Sequence, residues 1–276
     1  MKLRAFGATP NRVPVVGLGT WHMEKDDRES AIAAIRRAIE LGMTHVDTAE
    51  IYGAGAVEEL VGEAIAGYRS EVFLATKVHP EHATLPGTLL ACEKSLRRLR
   101  TDRIDLYLLH WRGTRPLEET FRAFEALQKE GKIRAWGVCN FDVADLEHAI
   151  GIAGENSIAC NQVLYNLLER DPEHVLQVYC ERNNIAFVAY SPLGSGDFPD
   201  DPVLDRIAAD HGVSPRAVAL AWLTRRNGAF VIPKSSSTSH VEELAMGGNL
   251  TLLPKELEAI DAAFPIGPPK SELPYT

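Results

Sequence analysis

A regular alternation of short apolar runs with longer helical segments constrains the fold of this chain more than any other feature. The apolar runs predict eight strands, at Val16 and over 45–47, 72–75, 104–109, 133–138, 158–162, 185–189 and 230–232. Apolar residues recur at helical spacing between them, for example at Ala31, Ile35 and Ala38. This spacing predicts helices over 28–41, 57–66, 88–99, 117–130, 143–150, 173–183, 203–211 and 215–225, with two more from Val241 and Lys255.

Eight strand and helix units predict a single (β/α)8 TIM barrel, a fold that typically takes ~250 residues. The 276 residues would also suit two ordinary domains, but the unbroken alternation favours one domain over 1–276. Ahead of the first barrel strand, a turn at 7–11 between two extended pieces predicts a β-hairpin that caps the bottom of the barrel. The chain ends in extra helices and a proline-rich tail, 265–274, that we expect to form a flap over the barrel mouth.

The composition argues against several classes of partner. The chain has 29 basic and 38 acidic residues, a formal charge of −9, and no dense basic cluster, so we expect no nucleic-acid partner. No run approaches the ~18 apolar residues of a membrane span and the N-terminus lacks a signal-peptide core, so we expect a cytoplasmic protein. We also expect a monomer that acts on a small molecule. The four cysteines lie far apart, which predicts reduced thiols and no metal site.

The glycines Gly17 and Gly19 suggest the dinucleotide-binding fingerprint of a Rossmann fold. The third glycine of that fingerprint is absent, because Thr20, Trp21 and His22 follow instead. A Rossmann domain is therefore not predicted.

Four polar residues follow successive predicted strands. Asp47 ends one strand and is followed by Tyr52 in the next loop, Lys77 ends the next strand, and His110 follows the third. Barrel enzymes place their active sites at the carboxyl ends of their strands. These four residues, which we call the quartet, therefore predict one catalytic site.

The quartet can move a proton. A free tyrosine titrates near ~10, and an ammonium beside it favours the phenolate, so we expect Lys77 to make Tyr52 a better acid. Asp47 would keep Lys77 charged, and His110 would orient a carbonyl oxygen beside Tyr52. None of these groups is a source of electrons, so reduction of a carbonyl needs a hydride from a bound cofactor.

Other interpretations of these residues remain open. Any one of them alone would more often be structural than catalytic. Lys77 could instead form a Schiff base in an isomerase or aldolase, although that leaves the motifs around Tyr190 and Lys234 unexplained.

The quartet and several further motifs resemble those of the aldo-keto reductase family, in particular its short prokaryotic members. The motifs are 17–21 (GLGTW), 137–141 (GVCNF), 161–162 (NQ), 190–194 (YSPLG) and 232–235 (IPKS). The resemblance implies an NAD(P)H-dependent reductase of aldehydes or ketones that binds NADPH in extended form across the barrel mouth. An alternative is a barrel that binds the nucleotide as a redox sensor without turnover, which the intact quartet disfavours.

The resemblance also implies roles for individual residues. Tyr190 would stack on the nicotinamide, Asn140 and Gln162 would bond its carboxamide, and Trp21 and Trp111 would form the substrate pocket with Tyr52 and His110. The residues implied at the nucleotide are Thr20, Trp21, Asp47, Asn140, Gln162 and Tyr190 near the nicotinamide, Ser191, Leu193 and Ser195 at the pyrophosphate, and Lys234, Ser235, Ser236, His240 and Glu243 at the adenosine.

Three positions depart from the family pattern. Cys139 stands where a serine commonly helps to hold the carboxamide, and a thiol bonds more weakly. His240 replaces an arginine that often grips the 2′-phosphate, and Leu244 replaces an asparagine. The sequence therefore predicts a preference for NADPH with NADH still usable.

Overall fold

A ring of parallel strands forms the centre of the structure, a computed structural model that describes residues 1–275. In chain order the strands are β1 (Leu3–Ala5), β2 (Arg12–Pro14), β3 (Leu18–Gly19), β4 (His45–Asp47), β5 (Phe73–Val78), β6 (Ile104–Leu109), β7 (Ile133–Cys139), β8 (Cys160–Leu164), β9 (Ala186–Tyr190) and β10 (Ala229–Val231). Strands β3 to β10 pair in sequence order, each parallel to the next. The Gly17 amide donates to Val231 O (2.8 Å) and the Gly19 amide to Pro233 O (3.0 Å), which joins the first strand to the last. The predicted (β/α)8 barrel is confirmed.

Helices surround the ring. They are α1 (Arg28–Glu40), α2 (Ala56–Ala64), α3 (Leu85–Leu99), α4 (Leu117–Lys129), α5 (Val143–Ala153), α6 (Leu176–Arg182), α7 (Pro202–His211), α8 (Pro215–Leu223), α9 (Thr238–Gly247) and α10 (Pro254–Ala263). Short polar side chains begin many of them: Asp27 accepts from the Ser30 amide and Thr84 from the Gly87 amide. Such caps satisfy amides that have no partner inside the helix.

Several predicted boundaries were wrong by two or three residues: the strand predicted over 72–75 runs to Val78, the helix predicted over 88–99 begins at Leu85, and the helix predicted over 143–150 runs to Ala153. The strand predicted over 158–162 is β8, which begins at Cys160 and runs to Leu164, because its pairing with β9 starts at Cys160 and Ala186. The helix predicted over 173–183 is α6, which begins at Leu176. It starts late because a separate short 3-10 turn at 171–173 holds the Glu173 carboxylate against Arg170.

Apolar residues form two layers separated by the strands. All six residues of β6 are buried, as expected for a strand with the barrel interior on one face and helices on the other. Leu106 and Leu108 point into the barrel with Val188 and Phe230, whereas Tyr107 packs outward against Phe124. The interior layer fills the barrel below the carboxyl ends of the strands, so ligands can enter only at that end.

The two glycines at 17 and 19 serve the barrel rather than a phosphate loop. A Cβ atom at Gly19 would lie 2.7 Å from Ile232 O, and one at Gly17 would lie 2.5 Å from His45 O. Real Cβ atoms essentially never approach this closely. The paired glycines let β3 lie against both neighbouring strands.

The N-terminal hairpin closes the opposite end of the barrel, as predicted. Strands β1 and β2 are antiparallel, and Phe6 in their turn is fully buried. The Phe6 ring lies 5.1 Å from the ring of Phe73, the first residue of β5, and 4.9 Å from the ring of Phe230 in β10. His45 is buried beside them, and neither of its ring nitrogens has a hydrogen-bond partner among residues 1–275.

We expect His45 to make the stability of the fold depend on pH. Burial lowers its pKa to about 4; the nearby Asp47 raises it and Lys77 lowers it further. Since the unfolded chain protonates near ~6.5 and the folded chain does not, the unfolding free energy falls as pH drops through the window between these values. From pH 7 to pH 5 we expect a loss of about 2 kcal/mol that His45→Phe does not show, measured by urea unfolding.

The exposed His148 supplies the control for this experiment. His148→Gln should keep the pH dependence of the native protein. Parallel stability curves for the native protein and His45→Phe would contradict the prediction, whatever the absolute stability of the variant.

The C-terminal tail lies against the loop that follows β8. The Lys270 amide donates to Asp171 Oδ1 (2.7 Å), and His174 Nε2 lies 2.9 Å from Gly267 O. Tyr275 reaches the lining of the cleft at the barrel mouth, as expected of a flap.

None of the helices in residues 1–275 has the length and apolar character needed to cross a membrane.

Candidate active site

The predicted quartet meets at the carboxyl ends of β4, β5 and β6. Asp47 ends β4, Lys77 is the penultimate residue of β5, and His110 directly follows β6. Tyr52 opens the 3-10 turn after β4, which brings its ring back over the strand ends. The structure therefore brings together all four side chains that the sequence singled out.

Lys77 links the other polar groups of the quartet. Its ammonium donates to Asp47 Oδ1 (2.5 Å) and to Thr48 O (2.9 Å), and it lies 3.4 Å from the Tyr52 hydroxyl. Lys77 is fully buried and Asp47 nearly so. This series of hydrogen-bonded groups, from carboxylate to ammonium to phenol, is shielded from water on the barrel side.

The protonation states of Lys77 and Tyr52 follow from their burial and from the charged groups beside them. Burial lowers the pKa of Lys77, but Asp47 and then Tyr52 raise it more, so the net pKa lies above its usual value and the amine is charged. Burial raises the pKa of Tyr52 to about 12 even though Lys77 lowers it. The expectation that Lys77 makes Tyr52 more acidic than a free tyrosine is wrong for the net pKa, because desolvation outweighs the ammonium.

His110 faces the Tyr52 ring edge-on, with 5.8 Å between ring centroids. Its pKa lies well below the usual value, first because of burial and then because of Lys77 and His79. The imidazole is therefore neutral and can donate one hydrogen bond toward a carbonyl oxygen. Its Nδ1 is buried and has no partner within residues 1–275.

Trp111 is held by residues that the sequence analysis did not identify. The His79 ring packs edge-on against Trp111 at 4.8 Å, and the His79 amide donates to Glu50 Oε1 (2.7 Å). Glu50 also lies 2.9 Å from His82 Nδ1. Glu50 stands inside the same Asp47 to Tyr52 loop, and that position was the one signal available for it.

A cleft of about 670 Å³ opens above the quartet. Tyr52, His110, Trp21 and Trp111, the four residues expected to form the substrate pocket, are among the residues that line it. Lining residues missed by the sequence analysis include Ile51, Gly196, Phe198, Arg216 and Tyr275, and Arg216 packs over the Phe198 ring. Of the residues predicted at the nucleotide, ten also line the cleft: Thr20, Trp21, Asp47, Asn140, Gln162, Tyr190, Ser191, Leu193, Ser195 and Lys234.

The amide side chains at the cleft floor contact the quartet. Gln162 Nε2 donates to Asp47 Oδ2 (2.8 Å), so Asp47 accepts hydrogen bonds at both carboxylate oxygens. Asn140 accepts from the Tyr190 hydroxyl (3.1 Å). Cys139 lies beside them, and its burial raises the pKa of the thiol, so it stays protonated.

Strained backbone concentrates at this cleft. His22, Asn140, Ser191 and Ser195 all have positive φ angles, between 46° and 62°. Residues other than glycine rarely adopt such angles unless surrounding structure enforces them, and they cluster at ligand sites. The strain points to the cleft as the functional surface.

The residues predicted for the adenosine end lie mostly outside the cleft lining. Lys234 lines the cleft, but Ser235, Ser236, His240 and Glu243 do not. Ser235 is buried, and its hydroxyl accepts from the Ser237 amide (3.1 Å). His240 is exposed at the start of α9. Leu244 is a buried core residue, so it replaces an asparagine without presenting a polar group at this surface.

Sequence comparison agrees with the geometry. The model of the aldo/keto reductase family matches residues 15–264. The chain belongs to the aldo/keto reductase family. Within that family, it is 42% identical over 268 residues to methylglyoxal reductase YeaE of Escherichia coli K12, across 95% of this chain and 94% of that protein. It is 38% identical to glyoxal reductase of Bacillus subtilis, across 95% of this chain and 94% of the relative.

Solved aldo-keto reductase structures have the same fold. A Klebsiella pneumoniae aldo-keto reductase in complex with NADPH matches over the full length of both chains, with 39% identity and a TM-score of 0.94. The thermostable aldo-keto reductase Tm1743 in complex with the inhibitor epalrestat matches 95% of this chain and 99% of that chain, with 37% identity and a TM-score of 0.89.

Proposed function

We propose that this aldo/keto reductase reduces small aldehydes and ketones to alcohols with NADPH, and that Tyr52 donates the proton. The observation that carries the proposal is the buried chain from Asp47 through Lys77 to the Tyr52 hydroxyl at the floor of an open cleft. The quartet has no source of electrons, so a hydride from a bound nicotinamide nucleotide would supply them. The reaction is reversible, so the same site oxidises alcohols.

Each member of the quartet has a distinct part in the proposal. Tyr52 remains protonated at neutral pH and gives its proton to the carbonyl oxygen as negative charge develops there. Lys77 stabilises the phenolate that remains, and Asp47 holds the ammonium in position. His110, which is neutral, orients the carbonyl oxygen by a hydrogen bond.

The cleft fits a nicotinamide nucleotide. Its volume lies within the range of ~300–1,000 Å³ usual for small-molecule sites. Tyr190 offers a partly exposed aromatic ring for the nicotinamide, and Ser191 and Ser195 line the adjoining wall as candidates for the pyrophosphate. Lys234, which also lines the cleft, is the candidate positive charge for the adenosine phosphate. The side-chain nitrogen of Gln162 donates to Asp47, so we propose that its side-chain oxygen faces the carboxamide of the nicotinamide.

The walls next to Tyr52 favour small, uncharged carbonyl compounds. Trp21 and Trp111 give this side aromatic surfaces, and Ile51 adds an apolar one. Two relatives are named for methylglyoxal and glyoxal, which are small dicarbonyl compounds. We therefore propose 2-oxoaldehydes as a substrate class, beside simple aliphatic and aromatic aldehydes.

A turnover assay tests the proposal. The protein is incubated with NADPH and a panel that contains methylglyoxal, glyoxal, an aromatic aldehyde, a ketone and an aldose, and loss of reduced nicotinamide absorbance is followed. We expect turnover with the dicarbonyl compounds and the aromatic aldehyde. Tight NADPH binding without turnover of any compound would support the redox-sensing alternative instead.

The Schiff-base alternative is disfavoured by the state of Lys77. A nucleophilic amine must be neutral and reach the substrate, but Lys77 is charged, fully buried and bonded to Asp47. Borohydride trapping with a carbonyl substrate should therefore leave no adduct on Lys77.

We expect His240→Arg to sharpen the preference for NADPH over NADH. An arginine carries a permanent charge and a planar fork of donors that match a phosphate, whereas a histidine is charged only in part near neutral pH. A charge-assisted hydrogen bond is worth ~1.5–3 kcal/mol, so we expect the ratio of kcat/KM values to rise about tenfold. Steady-state kinetics with both nucleotides measure it.

The same measurement at pH 6 and pH 8 adds a second readout. The preference of the arginine variant should be the same at both pH values, because a guanidinium stays charged throughout this range. An unchanged preference in His240→Arg would show that this exposed residue does not face the 2′-phosphate.

We also propose that the protein acts as a cytoplasmic monomer. All the groups of the proposed site come from one chain, so no second copy is needed to complete it. All four cysteines are buried free thiols, in keeping with a reducing compartment. Sedimentation or light scattering tests the monomer.

A further inference from the structure

One carboxylate contacts two of the five side chains that the family resemblance implies at the adenosine, Lys234 and Ser236. Asp26 Oδ2 forms an ion pair with Lys234 Nζ, and the same oxygen accepts from the Ser236 hydroxyl (2.5 Å). Asp26 lies in the loop after β3, directly before the Asp27 cap of α1, and Lys234 follows β10. The contact therefore spans the seam where the first and last strands of the barrel meet.

The carboxylate is ionised in this position. Partial burial would raise the pKa of Asp26, but hydrogen bonds from Lys234 and Ser236 lower it to a net value below the usual one. Lys234 and Asp26 are both about one-third exposed, so a ligand can reach the pair from solvent. A phosphate that takes Lys234 and Ser236 must displace this carboxylate or bind next to a like charge.

We propose that Asp26 is a specificity-determining residue that weakens NADPH binding and leaves NADH binding intact. The inference rests on the proposed nucleotide function of the cleft. A 2′-phosphate competes with Asp26 for Lys234 and is repelled by its charge. A 2′-hydroxyl carries no charge and can donate a hydrogen bond to a carboxylate. Asp26 thus reduces the difference in affinity between NADPH and NADH, independently of His240.

The variant Asp26→Asn tests this assignment. It removes the charge but keeps an oxygen that can accept from Ser236, so the loop retains a hydrogen bond. Because the pair is partly exposed, we expect its Kd for NADPH to fall by about fivefold and its Kd for NADH to stay within about twofold. Calorimetry with NADPH, NADH and adenosine 2′,5′-bisphosphate measures binding without turnover, and the bisphosphate should respond as NADPH does.

Asp27→Asn is the matched control. It removes the same charge one residue away, and asparagine caps a helix as well as aspartate does. The ratio of NADPH to NADH affinities should stay unchanged in this variant. A weaker affinity of Asp26→Asn for NADPH would overturn the proposal and make Asp26 a residue that positions Lys234. An unchanged ratio would also overturn it.

These binding measurements distinguish a failure of the Asp26 assignment from a failure of the proposed function. If neither nucleotide binds the native protein, the proposed function and this assignment both fail. If both bind and no carbonyl compound is reduced, the reductase proposal fails, and the ratio of affinities still decides the assignment of Asp26.

Discussion

Replacing Tyr52 by phenylalanine should lower kcat for carbonyl reduction by about a thousandfold, within the ~10²–10⁴ that a positioned general acid contributes. The substitution removes only the hydroxyl. The ring keeps its place, since Lys77 Nζ lies 5.1 Å from its centroid and His110 packs against it edge-on. The Kd for NADPH should change by less than about twofold, because the nucleotide contacts proposed for Tyr190 and Lys234 remain.

Tyr107→Phe is the matched control for this experiment. Tyr107 is also buried, but it packs against Phe124 on the outer side of β6, and its hydroxyl has no partner among the described residues. We expect native turnover from Tyr107→Phe. Near-native turnover from Tyr52→Phe would show that another group donates the proton.

The barrel could be predicted because its signal is periodic and local. Each strand is a short apolar run and each helix has an apolar face, so eight repeats were visible without tertiary information. The quartet was predictable for a related reason: parallel strands in a barrel bring their carboxyl ends together, so Asp47, Lys77 and His110 had to meet.

Contacts between distant loops could not be predicted in the same way. Asp26 and Lys234 are separated by most of the chain, and neither position shows the pairing in its local pattern. The same holds for the packing of His79 against Trp111 and of Arg216 over Phe198. These contacts depend on how each loop leaves its strand, which short-range periodicity does not determine.

The pKa of Tyr52 shows a further limit of the sequence. The neighbouring Lys77 was predictable and does lower that pKa, but the cost of burying the phenolate is larger. Burial of one hydroxyl depends on every element packed around it. The direction of a single electrostatic effect was therefore predictable, and the net pKa was not.

Lys77→Met should abolish carbonyl reduction and also destabilise the fold. The variant leaves the Asp47 carboxylate buried without its ammonium, although Gln162 still donates to its other oxygen. Breaking a buried ion pair on one side costs ~3–5 kcal/mol, so we expect a loss of about 3 kcal/mol in urea unfolding. kcat/KM should fall by about a thousandfold or more, because the phenolate of Tyr52 would form without a nearby positive charge.

The double variant Asp47→Asn/Lys77→Met separates these two effects. It removes both charges, and the asparagine can still accept a hydrogen bond from Gln162. Replacing both members of a buried ion pair is often close to neutral for stability, so the unfolding free energy should recover most of the loss. Activity should not recover, because the ammonium beside the Tyr52 hydroxyl is still missing. Recovery of turnover together with stability would mean that Lys77 acts only by supporting the fold, and the proton-donor role proposed for Tyr52 would then need no ammonium beside it.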